Sequence, residues 1–226
     1  MLIEMQNLTK TYGEGDQLVH ATRGVNLEIV EGDFIAVVGP SGSGKTTLLN
    51  LLAGLIGPTS GTIKHRSKEI QTLSLEERTA HRLANMGFVF QDYQLLPVLT
   101  ARENVELPLQ MRGEPQNEID QKTKWALEQV GLGSMMNRYP KQLSGGQQQR
   151  VAIARAVAGK PSLILADEPT ANLDSKTAQD IIDLFKRLNH EYKLTFVFST
   201  HDPRLIDQVK RVIRIKDGQT QEGKEL

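Results

Sequence analysis

The sequence predicts an α/β fold in which a mostly parallel sheet is flanked by helices, with an N-terminal antiparallel β part and an inserted helical subdomain. Short apolar runs such as FIAVVG (34–39) and SLILAD (162–167) are typical of strands buried on both faces of a sheet. Amphipathic helical stretches separate these runs, and strands that alternate with helices indicate a parallel sheet. A mostly helical region interrupts the alternation in the middle of the chain.

The N-terminal part reads as β structure. The stretches LIEMQNLTKTY and VNLEIVEGD alternate apolar and polar residues, and Glu31–Gly32–Asp33 has the composition of a turn. The run FIAVVG is expected as a buried strand that leads into a helix from Lys45 to about Leu55, which Gly57–Pro58 would stop. The run GTIKH is a further short strand.

The middle of the chain carries helix signals. The stretches SLEE (74–77) and TARE (100–103) match the capping box, so each predicts the start of a helix. Between them MGFVF (86–90) reads as a strand, and a third helix is expected from about Glu118 to Val130, closed by Gly131.

The α/β pattern then resumes with SLILAD, a helix over SKTAQDIIDLFKRLNHEY, the strand LTFVFST, and VKRVIRIKDGQ as a strand with a turn. We therefore expect one domain over residues 1–226. Its α/β core would comprise 1–91 and 159–226, and its helical subdomain 92–158.

Composition narrows the function classes. Lys plus Arg and Asp plus Glu both number 27, so the formal net charge is zero, which disfavours nucleic acid as a partner. The chain has no Cys, no apolar run of membrane-spanning length, and no basic and apolar start of a signal peptide. We expect a cytoplasmic protein whose membrane role, if it has one, comes through a partner.

The stretch GPSGSGKTT (39–47) fits the phosphate-loop pattern GxxxxGK[ST] of nucleotide-binding cores, and it lies between an apolar strand and a helix, as that pattern requires. Glycines let backbone N–H groups curl round a polyphosphate, Lys45 adds a mobile positive charge, and the Thr46 hydroxyl can ligate Mg²⁺. The loop thus predicts a polyphosphate ligand together with Mg²⁺. The predicted phosphate-binding residues are Gly39, Ser41, Gly42, Ser43, Gly44, Lys45, Thr46 and Thr47.

Two acidic residues end the strand LILADE (163–168). Asp167 lies at the carboxyl edge of the sheet, where it can hold Mg²⁺ through water. If the strand continued, Glu168 would point the other way and could act as base for a water beside the γ-phosphate. The alternative is an acidic strand end that caps a turn.

Three further polar residues have a functional interpretation and a plain one. His201 follows the strand FVFST, which we expect to neighbour the phosphate-loop strand. At that sheet edge His201 could bond a γ-phosphate oxygen, or it could lie solvated in a loop. Tyr12 could stack on adenine or pack on the core. Gln91 ends an apolar strand and could ligate Mg²⁺ or water, or be an ordinary loop residue.

The stretch LSGGQQQR (143–150) reads as a second helix start suited to an anion, about a hundred residues after the first. Together with the phosphate loop, Gln91, LILADE, ANLD (171–174) and His201, in this order, it resembles the nucleotide-binding subunit of ABC transporters over essentially the whole chain.

That resemblance implies a homodimer in which two chains pack head to tail around two ATP molecules, each ATP touching the phosphate loop of one chain and the LSGGQ helix of the other. It also implies roles residue by residue. Tyr12 would stack on adenine, and residues 41–47 would cradle the phosphates. Thr46, Gln91 and Asp167 would serve Mg²⁺. Glu168 would be the catalytic base and His201 would hold the γ-phosphate, with Lys45 and Gln91 as further catalytic residues. The residues that would contact the ATP held by the other chain are Ser144, Gly145, Gly146 and Gln147. Asp174 would help couple the two sites.

The stretch FQDYQLLPVLTARENVELPLQM (90–111) resembles the branch that serves lipoprotein release, macrolide-type export and cell-division permeases. It implies an integral membrane permease that contacts the region after Gln91, with the chain peripheral on the cytoplasmic face of the inner membrane. The apolar residues at 95–99 would meet that partner, or form a hydrophobic staple for the next helix. Two alternatives stay open: a soluble ATPase without transport, as in Fe–S assembly, and a signalling ATPase of the cell-division type.

Overall fold

The computed structural model describes residues 1–225, which fold as ten strands and seven α-helices linked by turns and short 3₁₀ segments. The strands are β1 (Ile3–Tyr12), β2 (Val19–Ile29), β3 (Phe34–Val38), β4 (Ser60–His65), β5 (Lys68–Glu69), β6 (Met86–Val89), β7 (Leu163–Asp167), β8 (Thr195–Ser199), β9 (Arg211–Lys216) and β10 (Gln219–Glu225). The helices are α1 (Lys45–Leu52), α2 (Leu75–Asn85), α3 (Ala101–Met111), α4 (Gln116–Gln129), α5 (Gly145–Val157), α6 (Ser175–Tyr192) and α7 (Pro203–Ile206).

The chain divides into two compact units. The first comprises Met1–Arg82 together with the segment from Thr195 onward, and the second comprises Leu83–Leu194. The expected division into an α/β core and a helical subdomain stays a prediction.

An antiparallel sheet with the order β2-β1-β4-β5 opens the first unit, as the alternation of its sequence predicts. The alternate residues Ile3 and Met5 of β1 are buried, as are Leu27 and Ile29 of β2. The period-2 pattern therefore turns one face of this sheet inward.

Four further strands of the first unit follow the order β10-β9-β3-β8, in which β3 pairs in parallel with both β8 and β9. Residues 34–37 of β3 and all five residues of β8 are buried, which explains why both read as unbroken apolar runs. The parallel arrangement confirms the predicted fold class for this unit. The strand β10 was not predicted beyond the turn at Asp217–Gly218, because its sequence QTQEGKE is polar.

Helix α1 ends earlier than the sequence analysis expected. Its last helical residue is Leu52, whereas the prediction was about Leu55 with Gly57–Pro58 as the stop. Gly54 has a left-handed φ of 62°, its N–H bonds the carbonyl of Leu51, and the next N–H bonds Asn50. This is the Schellman arrangement, so the first glycine ends the helix and the second does not.

The second unit contains the parallel pair β6 and β7 together with helices α3 to α6. The capping box predicted at Thr100 is present, with Thr100 and Glu103 bonding each other's backbone N–H groups. The predicted closure of α4 at Gly131 is also confirmed, since Gly131 has a φ of 76°. Within residues 1–225 no helix is both long enough and apolar enough to cross a membrane.

Candidate nucleotide-binding site

The phosphate loop follows β3, and close packing within the first unit requires glycine at two of its positions, Gly39 and Gly44. A Cβ on Gly39 would lie 2.1 Å from the carbonyl oxygen of Ile215. Gly44 has a φ of 105°, and a Cβ there would lie 2.2 Å from the carbonyl oxygen of Ala21. The loop therefore cannot keep this path with a larger residue at either position.

The Lys45 ammonium group closes the loop on itself by donating to the carbonyls of Gly39 at 2.8 Å and Pro40 at 2.9 Å. Helix α1 begins at Lys45 with Gly44 as N-cap, and the first N–H groups of any helix have no partner within it. The buried hydroxyl of Ser43 has no hydrogen-bond partner among residues 1–225. Unpaired donors, a helix start and an ammonium group suit a polyphosphate, so this loop fits ATP. Beside them, Ser41, Gly42 and Thr46 are exposed and Thr47 is half-buried.

His201 lies at the same edge of the sheet as the phosphate loop. Strand β8 runs parallel to β3 with Val37 opposite Ser199, and the N–H of Thr200 donates to the carbonyl of Val37 at 3.2 Å. His201 lies two residues beyond the end of β8, and its side chain is exposed. The predicted adjacency of these two strands is confirmed.

Tyr12 ends β1 with 43% of its surface exposed, so the alternative of a core-packed side chain is wrong. It pairs across the hairpin with Val19, which is 60% exposed. The two side chains are cross-strand neighbours, and they form an exposed apolar edge in the first unit.

The second unit brings Gln91 and the acidic pair to one sheet edge. The last paired residues of the parallel strands β6 and β7 are Val89 and Ala166, and Gln91 and Glu168 each follow two positions later. Asp167 is the last residue of β7. The strand does not continue at Glu168, as the sequence analysis had considered. Glu168 instead adopts a left-handed φ of 46°, a conformation that costs a non-glycine residue about 1 kcal/mol or more and is typical of functional sites.

Asn172, which the sequence analysis did not single out, holds the segment at Gln91. Its side-chain amide donates to the carbonyl of Gln91 at 3.2 Å and to the Asp92 carboxylate at 3.1 Å, and its carbonyl accepts from the Gln91 amide at 3.3 Å. Its position inside ANLD was the only sequence signal, because 81 residues separate it from Gln91.

Ser144 is the N-cap of α5, as the helix-start interpretation predicts. Its hydroxyl accepts from the N–H of Gln147 at 3.3 Å, and the Gln147 side chain accepts from the N–H of Ser144 at 3.0 Å. The two glycines between them allow close approach within the second unit. A Cβ on Gly146 would lie 2.4 Å from the Thr177 methyl group, and one on Gly145 would lie 2.9 Å from the Tyr93 hydroxyl.

Arg155, at the other end of α5, is a second residue that sequence reasoning missed. Its guanidinium group donates to the carbonyls of Gln94 at 2.6 Å and Tyr93 at 2.8 Å. Both acceptor residues have left-handed backbones, with φ of 46° and 59°. Burial lowers the pKa of Arg155 below its usual range, yet the group stays charged at neutral pH.

Asp174 is the N-cap of α6. Its carboxylate accepts from the hydroxyl of Thr177 at 2.6 Å and from the N–H groups of Thr177 and Lys176 at 3.0 and 3.1 Å. The Thr177 hydroxyl and these N–H groups hold the pKa of Asp174 below its usual range. In this chain the carboxylate therefore stabilises the start of a helix.

The oxygen donors proposed for Mg²⁺ are a hydroxyl at Thr46, an amide at Gln91 and a carboxylate at Asp167. These hard ligands suit Mg²⁺, which uses few protein ligands and takes the rest from phosphate and water. No cluster of three or more His, Cys, Asp or Glu able to hold a metal occurs in residues 1–225.

Comparison with known proteins identifies the family of the chain. The family model described as "ABC transporter" matches residues 22–171. An uncharacterised ABC transporter ATP-binding protein of Thermotoga maritima is 47% identical over 217 residues, which is 96% of this chain and 92% of that protein. The macrolide export ATP-binding/permease protein MacB of Syntrophobacter fumaroxidans is 45% identical over 96% of this chain, which spans 31% of that larger protein.

Solved structures show the same fold. The ATP-binding cassette MJ0796, a Methanocaldococcus jannaschii protein, has been solved as a dimer in a post-hydrolysis state bound to ADP and phosphate. It superimposes with a TM-score of 0.90 at 43% identity, covering 100% of this chain and 99% of that one. The α/β fold with an antiparallel β part is thereby confirmed.

Proposed function

This chain belongs to the ABC transporter family as an ATP-binding, ATPase-type subunit, and from that premise we propose that two copies bind and hydrolyse two Mg²⁺-ATP to drive a separate membrane permease. The observation that carries the proposal is the phosphate loop, with close-packed Gly39 and Gly44, a Ser43 hydroxyl that bonds no group within residues 1–225, and the Lys45 ammonium group at a helix start.

The proposed chemistry divides among named residues. Lys45 leaves its loop carbonyls for the β- and γ-phosphates, and His201 bonds a γ-phosphate oxygen. Glu168 orients the attacking water and takes its proton. Thr46, Gln91 and Asp167 would hold Mg²⁺, which would neutralise part of the charge on the phosphates.

The homodimer proposal rests on the second helix start. A phosphate loop alone leaves the γ-phosphate facing water, where electrostatic stabilisation of the transition state is weak. The start of α5, with Ser144 through Gln147, would supply N–H groups to the ATP held by the other copy. MJ0796 has been solved as a dimer bound to ADP and phosphate, which supports a homodimer for this chain. Such a dimer is isologous, so both sites are equivalent.

Trapping the dimer tests this proposal. Glu168→Gln should bind ATP without hydrolysing it and elute as a dimer with ATP and as a monomer with ADP, measured by size exclusion with light scattering. Glu128→Gln, on the exposed face of α4, is the matched control and should remain active. A Glu168→Gln protein that stays monomeric at saturating ATP counts against the shared site.

Ser144→Arg distinguishes binding of a chain's own ATP from the contact that the chain makes with the ATP of the other copy. The substitution places a large cation at the start of α5 and should abolish hydrolysis while leaving ATP binding by the monomer unchanged. Lys45→Ala should lose both activities, because the ammonium group serves the copy's own nucleotide. Equal loss of monomer binding in both variants would refute the division of labour.

The segment after Gln91 supports a permease partner on the cytoplasmic face of the inner membrane. Val98 is 78% exposed and Leu96 is 42% exposed. The buried Asn104 side chain holds this loop by bonding the backbone of Leu96 and the carbonyl of Leu99. Asn104 also occupies the N4 position of α3, where a hydrophobic staple needs an apolar residue, so the staple alternative is disfavoured.

The group of permeases that this chain serves can be proposed from its relatives. The 45% identity to a macrolide export ATP-binding/permease protein supports a permease of the lipoprotein-release or macrolide-export group. Affinity purification from detergent-solubilised membranes should recover an integral membrane protein, and Val98→Asp should lose it while ATP hydrolysis persists. Full function without any membrane partner would favour the Fe–S assembly alternative. A recovered permease that moves no solute would favour the cell-division signalling alternative.

A further inference from the structure

Lys10 and Tyr12 lie two residues apart on β1, so their side chains project from the same face of the strand. The Lys10 ammonium nitrogen lies over the Tyr12 ring, 5.2 Å from the ring centroid. This distance is within the range of a cation–π interaction. One face of the exposed ring is therefore already occupied by a side chain of the protein.

The same ammonium nitrogen is fixed from a second direction. It donates to the carbonyl of Gly57 at 2.9 Å. The backbone beside that carbonyl is itself anchored to β1, because the N–H of Thr59 donates to the carbonyl of Thr9 at 2.8 Å and the Thr59 hydroxyl accepts from the N–H of Thr11 at 3.0 Å. Lys10 is therefore not a freely rotating surface lysine.

Gly57 lies five residues beyond the end of α1, the helix that begins at the phosphate loop with Lys45. The Lys10 bond thus links the Tyr12 ring to the chain that leaves the phosphate-loop helix. A nucleotide that stacks its base on Tyr12 and places its phosphates on the loop needs these two features at a fixed separation. Fixing that separation before binding reduces the entropy lost on binding.

We propose that Lys10 is a positioning residue for the nucleobase: it covers one face of the Tyr12 ring, ties the ring to the segment that follows the phosphate-loop helix, and so presents only the opposite face to adenine. The inference rests on the proposed stacking of Tyr12 on adenine. Lys10 acts through Tyr12 and touches no phosphate in this role, so its effect is confined to the part of the affinity that comes from the base.

The test compares a ligand that has a base with one that lacks it. Binding of ADP and of inorganic pyrophosphate to the full chain is measured by titration calorimetry with Mg²⁺, because neither ligand is hydrolysed. Lys10→Met removes the charge and keeps an unbranched, apolar side chain. We expect Lys10→Met to raise the Kd for ADP by about 2- to 5-fold, the size of an exposed cation–π interaction, and to leave the Kd for pyrophosphate unchanged.

Three further variants complete the design. Lys10→Arg keeps a cation over the ring and should restore ADP binding to near the wild-type value. Lys64→Met removes a lysine from β4 opposite Glu4, eight residues along β1 from Tyr12 and roughly 27 Å away, and should change neither Kd. Tyr12→Ala should weaken ADP binding selectively, and Lys10→Met should add nothing in that background.

The outcomes separate the inference from the function on which it rests. If Tyr12→Ala weakens ADP binding and Lys10→Met does not, the stacking role stands and the positioning role of Lys10 is overturned. If Lys10→Met weakens ADP and pyrophosphate equally, Lys10 acts on the phosphates or on the fold, and the inference is again overturned. If Tyr12→Ala leaves ADP binding unchanged, the base platform itself is refuted and the role of Lys10 falls with it.

Discussion

Gln91 and Asn172 exchange two hydrogen bonds, in which the Gln91 amide donates to Asn172 Oδ1 at 3.3 Å and the Asn172 amide donates to the Gln91 carbonyl at 3.2 Å. Both residues are exposed and both distances are long, so the pair is weak and can be broken by a better ligand. The ANLD segment and the proposed Mg²⁺ ligand are thus joined within one chain. A substitution of Asn172 can therefore change the position of Gln91, and the reverse also holds.

Asn172→Ala should therefore impair Mg²⁺ use more than stability. We expect the free energy of unfolding to fall by less than about 1 kcal/mol, because exposed hydrogen bonds contribute little. The Mg²⁺ concentration for half-maximal ATPase activity should rise several-fold, because Gln91 is no longer held near its proposed position. A Mg²⁺ titration of ATPase activity measures this shift.

Asn172→Asp provides a stricter comparison. The aspartate keeps an acceptor for the Gln91 amide but brings a second carboxylate to the place where the Asn172 amide now donates to Asp92 at 3.1 Å. Repulsion between like charges should make this variant worse than Asn172→Ala. Wild-type Mg²⁺ dependence in both variants would show that the pair does not position Gln91.

Arg155→Lys should destabilise the protein and loosen the segment after Gln91. A lysine cannot reproduce two diverging bonds from one planar group to the carbonyls of Tyr93 and Gln94, whose left-handed backbones are themselves costly. We expect the free energy of unfolding to fall by about 2 kcal/mol, measured by urea denaturation. Hydrogen exchange of residues 93–99 should rise.

The control for this substitution is Arg138→Lys, at an exposed position in the same unit. It should change neither the urea midpoint nor the exchange pattern. Exchange in residues 93–99 that is equal in Arg155→Lys and the wild type would mean that the segment does not depend on the guanidinium group.

Much of this architecture could be predicted because its causes are local. The phosphate loop is one continuous stretch between an apolar strand and a helix. The capping box of Ser74 and Glu77 needs only residues three apart, and the structure contains both of its bonds, at 2.9 and 3.2 Å. The neighbouring positions of His201 and the phosphate loop follow from the parallel pairing of two apolar runs.

The missed features depend on segments far apart in the sequence. Asn172 and Arg155 act on residues 81 and 61 positions away, and nothing in their local sequence marks these contacts. The end of α1 was misplaced for another reason, since Gly54 and Gly57 both lie within reach of the last turn and only the backbone geometry shows which one adopts the left-handed conformation. The left-handed Glu168 could not be foreseen, because it departs from local preference.

Acidification should destabilise the protein through His65. This buried imidazole bonds His81 at 2.7 Å, and its pKa falls from 6.5 to about 4, chiefly because of burial and then because of His81 and Arg66, with Glu31 opposing. Burial, and then Lys68, also lower the pKa of His81. The folded state therefore favours the neutral imidazole. Its stabilising contribution is fully present above pH 6.5 and is lost as the pH falls towards 4.

The measurement is the thermal midpoint at pH 7.5 and pH 5, a window above the ordinary titration range of Asp and Glu. His65→Gln keeps a hydrogen-bonding group beside His81 but does not titrate. The drop in midpoint over this window should be smaller in the variant than in the wild type. Equal drops would assign the acid sensitivity to other groups.

Gly146→Ala should create a steric conflict with one methyl group. The added Cβ would lie 2.4 Å from Cγ2 of Thr177, and Thr177 cannot simply rotate, because its hydroxyl donates to Asp174 at 2.6 Å. Alanine favours a helix over glycine by up to about 1 kcal/mol, and overpacking costs about 1–3 kcal/mol. The net result should be a fall in the free energy of unfolding of about 1 kcal/mol.

The same alanine in a Thr177→Ser background should be neutral or stabilising, since serine keeps the hydroxyl bond to Asp174 and removes the methyl group. Urea denaturation of the two single variants and the double variant measures this coupling. If the alanine is as destabilising beside serine as beside threonine, the methyl contact is not what requires glycine at this position.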